Sequence, residues 1–283
     1  MWGFLAIILK VALRELGTVE VTWFRFSLAF LFLFIYYLIL QPKELGIIIK
    51  PPKLALLAAV FLGCNYYGFI NGVNHSTPVI SQIFIQAGPV TLALSGFILF
   101  KEKLRWTQLL GFAIVVIGYF IFYHERIVVL SGNLSTYQKG VYWTLFGAIT
   151  WALYAIFQKK AVVKYHPVHI NLVIFLVPTI AYAFFVDYNA VAHISMVEWF
   201  LLILLGINTL LAYSFISLAL KHLEANKLSV IITCNPVITF VAMAILGWLE
   251  VKWIEAEQWS LVSLLGAVLV LIGVIITVIK KRS

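Results

Sequence analysis

Gln86-Ala87-Gly88-Pro89-Val90-Thr91 sits inside an apolar run from Val79 to Phe100, and about 150 residues later Thr233-Cys234-Asn235-Pro236-Val237-Ile238 sits in the same way inside Leu228 to Leu249. Each copy ends within about a dozen residues at a charged stop, Lys101-Glu102 or Leu249-Glu250. Two more matches keep the order. Leu109-Leu110-Gly111 with Gly118 recurs as Leu264-Leu265-Gly266 with Gly273, and Trp2, Ala6, Lys10 and Ala12 align with Trp151, Ala155, Lys159 and Ala161. Any one match is weak, because Leu-Leu-Gly is common in apolar helices. Three in the same order imply a duplicated unit.

Around these landmarks the chain of 283 residues is 63% apolar and 11% charged, where soluble domains run at roughly 45 to 50% and about 25%. That excludes an ordinary cytosolic enzyme or a nucleic-acid binder. Apolar runs fall at Met1 to Leu13, Thr22 to Leu40, Leu54 to Val73, Val79 to Phe100, Leu109 to Tyr123, Val141 to Phe157, Val168 to Val186, Met196 to Leu220, Leu228 to Leu249 and Trp259 to Ile279. Since about 20 apolar residues cross a bilayer as a helix, the expected fold is all-α and integral to the membrane, with ten transmembrane helices. The runs are continuous and do not alternate, which argues against a β-barrel. The expected units are 1–130, a first five-helix repeat, and 139–283, a second.

Because five is odd, the second copy enters the membrane from the opposite side, giving two inverted-topology repeats of the kind that rock about a shared site in secondary transporters. The net charge of +9 is read as an orientation signal. With a cytoplasmic N-terminus the inner loops hold Lys43, Lys50, Lys53, Lys101, Lys103, Arg105, Lys159, Lys160, Lys164, Lys221, Lys227, Lys280, Lys281 and Arg282, against Arg14, Arg126, Lys139 and Lys252 outside. That asymmetry places both termini in the cytoplasm, in a multi-pass protein of a bacterial inner membrane. The first run lacks the basic start and small-residue cleavage site of a signal peptide. Its 13 residues span about 20 Å, short of the ~30 Å hydrocarbon core, so the natural chain is expected to start about ten residues upstream or to have an unusually short first helix.

The sequence resembles the ten-helix drug/metabolite transporter superfamily, EamA type. The resemblance rests on Trp2-Gly3 with Lys10, on Trp23-Phe24-Arg25-Phe26 opening the second run, and on Gly88-Pro89 and Asn235-Pro236 in mid-helix. Glu102 and Glu250 at the ends of those helices and the glycine pairs of the fifth and tenth runs complete it. It covers nearly the whole chain and implies a fold and a transport function, not a substrate. It also implies that Trp2, Trp151 and Tyr154 face the centre.

Polar side chains are expensive in lipid and usually turn to the bundle interior. Gln82 and Gln86, four apart and on one helix face, align with Ser229 and Thr233. Pro89 and Pro236 are expected to kink their helices and free the carbonyls of Ile85 and Ile232 as ligand contacts. Asn65, Tyr66 and Tyr213, with Trp151, Tyr154 and Lys10, complete the expected substrate contacts. Alternatively, the amides mark a packing seam, the aromatics are packing, and Lys10 snorkels to the interface. Arg25 either anchors the second helix or meets a carboxylate or phosphate, with Glu20 as its resting partner.

None of the 11 carboxylates lies in mid-span, and the six histidines are at loops or ends, so uniport or coupling through an end group is favoured over a midplane proton relay. Neither metal-ligand spacing nor a phosphate loop nor a nucleophile elbow is found, so no metal, cofactor or catalytic residue is expected. Cys64 and Cys234 lie in apolar runs as small core residues. The expected protein is a secondary transporter of a small metabolite, an amino acid or related compound, exporting it by alternating access. The other reading is a non-transporting membrane protein, an assembly or lipid-handling subunit, that retains the fold. Its expected partners are the substrate, the bilayer and a second copy in a homodimer, without nucleic acid.

Overall fold

The computed structural model describes residues 2–102, 106–132, 134–251 and 260–278. Lys103, Arg105, Lys252, Lys280, Lys281 and Arg282 of the charge count and Trp259 at the start of the tenth run lie outside the described residues, as does the side chain of Arg126. The chain folds into α1 (Trp2–Ala12), α2 (Thr18–Leu40), α3 (Gly46–Ile49), α4 (Lys53–His75), α5 (Pro78–Phe84), α6 (Ala87–Ile98) and α7 (Trp106–Gly132). There follow α8 (Leu134–Ala161), α9 (Asn171–Ala183), α10 (Tyr188–Ala192), α11 (Met196–His222), α12 (Ala225–Ile232), α13 (Asn235–Trp248) and α14 (Leu261–Val278). Among the described residues there is no strand.

Among the described residues six segments are long and apolar enough to cross a membrane: Thr18–Leu40, Lys53–His75, Pro78–Ile98, Gln138–Ala161, Met196–His222 and Ala225–Trp248. Four shorter apolar helices, Trp2–Ala12, Trp106–Gly118, Asn171–Ala183 and Leu264–Ile276, accompany them. Polarity is distributed as a bilayer requires. Leu31, Ile35, Ile39, Phe200, Ile207 and Phe215 face outward, whereas Arg25, Asn65, Gln82, Gln86, Gln158 and Asn171 are buried. In hydrocarbon the polar groups gain by turning inward and the apolar ones lose nothing by staying out.

Lipid supplies no hydrophobic force between helices, so close approach must hold them, and glycine provides it. A Cβ on Gly68 of α4 would lie 2.8 Å from the backbone nitrogen of Gly147 in α8, and one on Gly147 would lie 2.9 Å from that of Phe69. The repeated glycines do the same for α7 and α14. A Cβ on Gly118 would meet Gly266 O at 2.9 Å and Val270 N at 2.8 Å, and one on Gly273 would meet Gly111 O at 2.7 Å and Val115 N at 2.8 Å.

The prolines differ from expectation. The two runs that carry them are broken, between α5 and α6 and between α12 and α13, so Pro89 is the third residue of α6 and Pro236 the second of α13. In a first turn the N–H that proline lacks has no partner within the helix. Both prolines therefore start a helix where a kink in a continuous one was expected. Nor is the carbonyl of Ile85 free: it accepts from the Gly88 N–H at 3.0 Å.

Candidate functional site

A cavity of about 60 Å³ lies at the centre of the helices; at roughly 10 to 15 Å³ per water it has room for a few waters or a small group. Gln82 on α5 and Gln86 at the α5–α6 break reach it together, as their four-residue spacing requires, and Pro89 lies one turn on. Gln82 Nε2 donates to Trp2 O at 3.2 Å and Gln86 Nε2 donates to Gln82 O at 3.2 Å. Gln86 Oε1 is buried and accepts nothing from the protein. Asn65 and Tyr66 of α4, Trp151 of α8 and Tyr213 of α11 also line the cavity. Asn65 Nδ2 is spent on Gly147 O at 2.8 Å, stitching α4 to α8. Trp2 closes another wall, its ring 6.1 Å from that of Trp151 and 5.4 Å from that of Tyr213.

Arg25 is the cavity's only ionised side chain among the described residues, and it is 1% exposed. Its Nε donates to Thr209 Oγ1 at 3.1 Å and its Nη2 to the Tyr66 hydroxyl at 3.3 Å. The guanidinium carbon lies 4.4 Å above the Tyr66 ring. Glu20 is engaged elsewhere, its Oε1 accepting from the Asp187 N–H at 3.0 Å, so it is not the resting partner expected for Arg25. Sitting near the start of its helix, Arg25 reads in the sequence first as an interfacial anchor; α4 and α11 bring Tyr66 and Thr209 against it, and it is buried. Asn235, aligned with Gly88 by the repeat, lines the cavity as well, with Ile85 and Ile232.

Five expected positions are not among the lining. Ser229 Oγ donates to Ala225 O at 2.7 Å and Thr233 Oγ1 to Val230 O at 2.6 Å, short hydroxyls turned back onto their own helix, a common alternative for such side chains. Tyr154 is fully buried behind Tyr213, with ring centroids 5.5 Å apart. Pro236 sits in the first turn of α13 beside Asn235. Lys10 caps a helix: its Nζ donates to Val73 O at 3.0 Å, Asn74 O at 3.3 Å and Ser76 O at 2.7 Å. A cation there satisfies carbonyls at the end of α4 and complements its dipole. Lys10→Met is therefore expected to lower stability by about 1 to 3 kcal/mol, read by the melting temperature, with little change in the affinity of any cavity ligand. A selective loss of ligand binding at unchanged stability would return Lys10 to the site.

At one end of the bundle Glu102 ties three helices together. Its Oε1 accepts from the Ala225 N–H at 2.7 Å and its Oε2 from the Asn226 N–H at 3.2 Å, both in the first turn of α12. Lys159 at the end of α8 pairs with it at 3.2 Å and also donates to Leu223 O at 2.9 Å. Gly96 leaves room for the carboxylate, since a Cβ there would come within 2.7 Å of Glu102 Oε2. Among the described residues Glu250 makes no such set of contacts. It shares a left-handed backbone with Lys101, at φ 50° and 52°; Glu250 directly follows the C-cap of α13 as an αL residue, and Lys101 lies two residues past the C-cap of α6.

An apolar exterior and a helical scaffold that buries polar side chains around a central cavity are those of a multi-pass membrane protein. The chain belongs to the EamA-like transporter family, whose model matches residues 1–124 and 138–279. It is 29% identical over 284 residues to an uncharacterized transporter of Haemophilus influenzae, covering 99% of this chain and 92% of that protein. It is 27% identical over 287 residues to the uncharacterized inner membrane transporter YhbE of Escherichia coli K12, covering 99% and 88%. A crystal structure superposes with a TM-score of 0.71 over 98% of this chain and 95% of the other at 15% identity, a likeness of fold.

Proposed function

We propose that the protein is a secondary transporter that exports a small metabolite, an amino acid or related compound, by alternating access between two inverted five-helix halves of a ten-helix bundle. The observation that carries this reading is the central cavity, lined at both broken runs by Ile85 and Gln86 on one side and Ile232 and Asn235 on the other. A helix interrupted beside a binding site lets each half move without unwinding a continuous rod. The inverted pairing is supported by the way contacts exchange: Gly118 faces Gly266 and Val270, while Gly273 faces Gly111 and Val115. Under the positive-inside assignment the Glu102–Lys159 pair closes the cytoplasmic end, both termini being cytoplasmic.

Transport is tested by counterflow of labelled amino acids and related metabolites in proteoliposomes. Gln86→Ala, which removes an amide from the cavity wall, is expected to reduce flux about five- to thirtyfold, the loss of one or two hydrogen bonds at about 1 kcal/mol each. Leu94→Ala, on an outward-facing position that is 54% exposed, leaves flux unchanged. Equal flux in both variants removes the site; no flux of any metabolite by folded protein removes the transporter reading.

A further inference from the structure

We propose that the cavity is a site for a small monocarboxylate and that Arg25 is the side chain that holds it. The proposal deepens the transport reading and rests on it only in calling the ligand a substrate. From Thr22 to Leu40 the second apolar run contains a single charge, Arg25. It is among the largest fully buried side chains of the protein. Buried cations are normally paired with an acid, because desolvating a charge without a counter-ion is costly. No carboxylate among the described residues lines this cavity.

The donors point the same way. A guanidinium has five N–H groups, and Arg25 uses two, on the neutral hydroxyls of Tyr66 and Thr209. The two hydroxyls are already paired with each other, Tyr66 OH donating to Thr209 Oγ1 at 3.2 Å, and Thr209 Oγ1 donates to Leu205 O at 2.9 Å. They do not depend on Arg25 for a partner, so the arginine is not needed to satisfy them. Tyr66 covers one face of the guanidinium and holds it flat, the pre-organisation that bidentate recognition of a planar oxyanion exploits.

Charge and shape select among oxyanions. One guanidinium compensates one negative charge. Phosphate, with up to two, would leave an uncompensated charge in a dry site and is disfavoured. Leu5, Phe69 and Ile85 supply an apolar wall that suits a hydrocarbon body. Gln86 Oε1, buried and without a donor, adds an acceptor for an N–H or O–H of the ligand. Its orientation is settled by Nε2, which faces the Gln82 carbonyl and so must be the donor end. The class that meets all three demands is a small aliphatic monocarboxylate bearing a neutral hydrogen-bond donor, such as an α-hydroxy acid, which falls within the related compounds of the transport reading; the second charge of a zwitterion would go uncompensated as phosphate's would.

Four probes of similar size, small enough for the cavity, separate the alternatives: L-lactate, its carboxylate-only analogue propanoate, the amine-only analogue propylamine, and inorganic phosphate. Binding to purified protein is followed by calorimetry, and folding by melting temperature. Wild type is expected to bind the two carboxylates and neither the amine nor phosphate. Arg25→Met is expected to weaken carboxylate binding by roughly thirtyfold or more, the usual effect of truncating one partner of a buried charged pair. Its ligand-free melting temperature stays level or rises, since a buried unpaired charge has been removed. A purely structural arginine would give the opposite, a marked fall in melting temperature. Arg25→Lys keeps the charge but loses the fork, and is expected to fold and to bind more weakly than wild type; it decides the matter if Arg25→Met does not fold.

Unchanged carboxylate affinity in both variants overturns the proposal, as does wild-type binding of phosphate or the amine in place of the carboxylates, or binding of none of the four. Counterflow separates this inference from the transport reading. Arg25-dependent carboxylate binding without flux would end the transport reading and leave the carboxylate site. Flux of an amine or phosphate that depends on Gln86 but not on Arg25 would do the reverse.

Discussion

Gly147→Leu is expected to leave little or no folded protein in the membrane, and to lower the melting temperature of whatever is recovered by an amount corresponding to about 3 kcal/mol or more. The reason is backbone contact. Even a Cβ at this position would lie 2.9 Å from Phe69 N and 3.2 Å from Asn65 O, so neither neighbour can rotate away as a flexible side chain would. Separating α4 from α8 also breaks the 2.8 Å bond from Asn65 to Gly147 O. Water cannot replace that bond in hydrocarbon. Since Asn65, Tyr66 and Phe69 also line the cavity, the recovered fraction is expected to have lost ligand binding. Gly46→Ala is the matched control, because an added Cβ there meets nothing within 4 Å and its effect should stay within about 0.5 kcal/mol. A stable, active Gly147→Leu protein would show that α4 and α8 do not approach as closely as described.

The second large effect is expected at Glu102. Its carboxylate serves as counter-ion to Lys159 and as the anion at the start of α12, whose own N-cap residue, Glu224, makes no side-chain capping bond. Glu102→Ala removes both roles and leaves Lys159, 14% exposed, with the Leu223 carbonyl and the face of the Phe100 ring but no counter-ion. The expected cost is about 3 kcal/mol. Lys159→Met alone is expected to cost less, since the two amides of α12 keep their acceptor. The double variant should be less unstable than the sum of the two by about 1 to 2 kcal/mol, because the ion pair is then counted once. In the proposed transport cycle the same bond is expected to act as a latch. Loosening it favours the state open at that end and is expected to depress counterflow while binding of cavity ligands persists. Additive stabilities together with wild-type flux would reduce the pair to a surface contact.

Much of this was readable before any coordinates, because lipid is an undemanding but strict solvent. It requires long apolar runs with their hydrogen bonds closed within the helix, and those runs appear as α1, α2, α4 and the others near the boundaries set by Gln41-Pro42, Lys50-Pro51 and Lys101-Glu102. The paired glycines were noticed as landmarks of duplication and turn out to be where backbones touch. At the cavity the amides Gln82 and Gln86 and the aromatics Tyr66, Trp151 and Tyr213 were legible, since a long polar or half-polar side chain in a span has few places to go but inward. Ser229 and Thr233 were not separable from them by sequence. A short hydroxyl can satisfy itself on the preceding turn, and both do. The capping role of Lys10 is not legible in the sequence, because the three carbonyls it meets come from Val73, Asn74 and Ser76, more than sixty residues away.

The sequence by itself therefore determined the solvent of this protein, its helical class, its order of apolar segments and most of the polar groups that had to be hidden. Those properties follow from local composition, because the cost of exposing a peptide or an amide to hydrocarbon is paid residue by residue. Only the tertiary structure decided which hidden groups meet. Arg25 differs from an interfacial anchor solely in having Tyr66 and Thr209 brought against it from α4 and α11. Glu102 is set apart by facing the start of α12 and Lys159. Charge compensation depends on distances between segments far apart in the chain, and no local pattern encodes those distances.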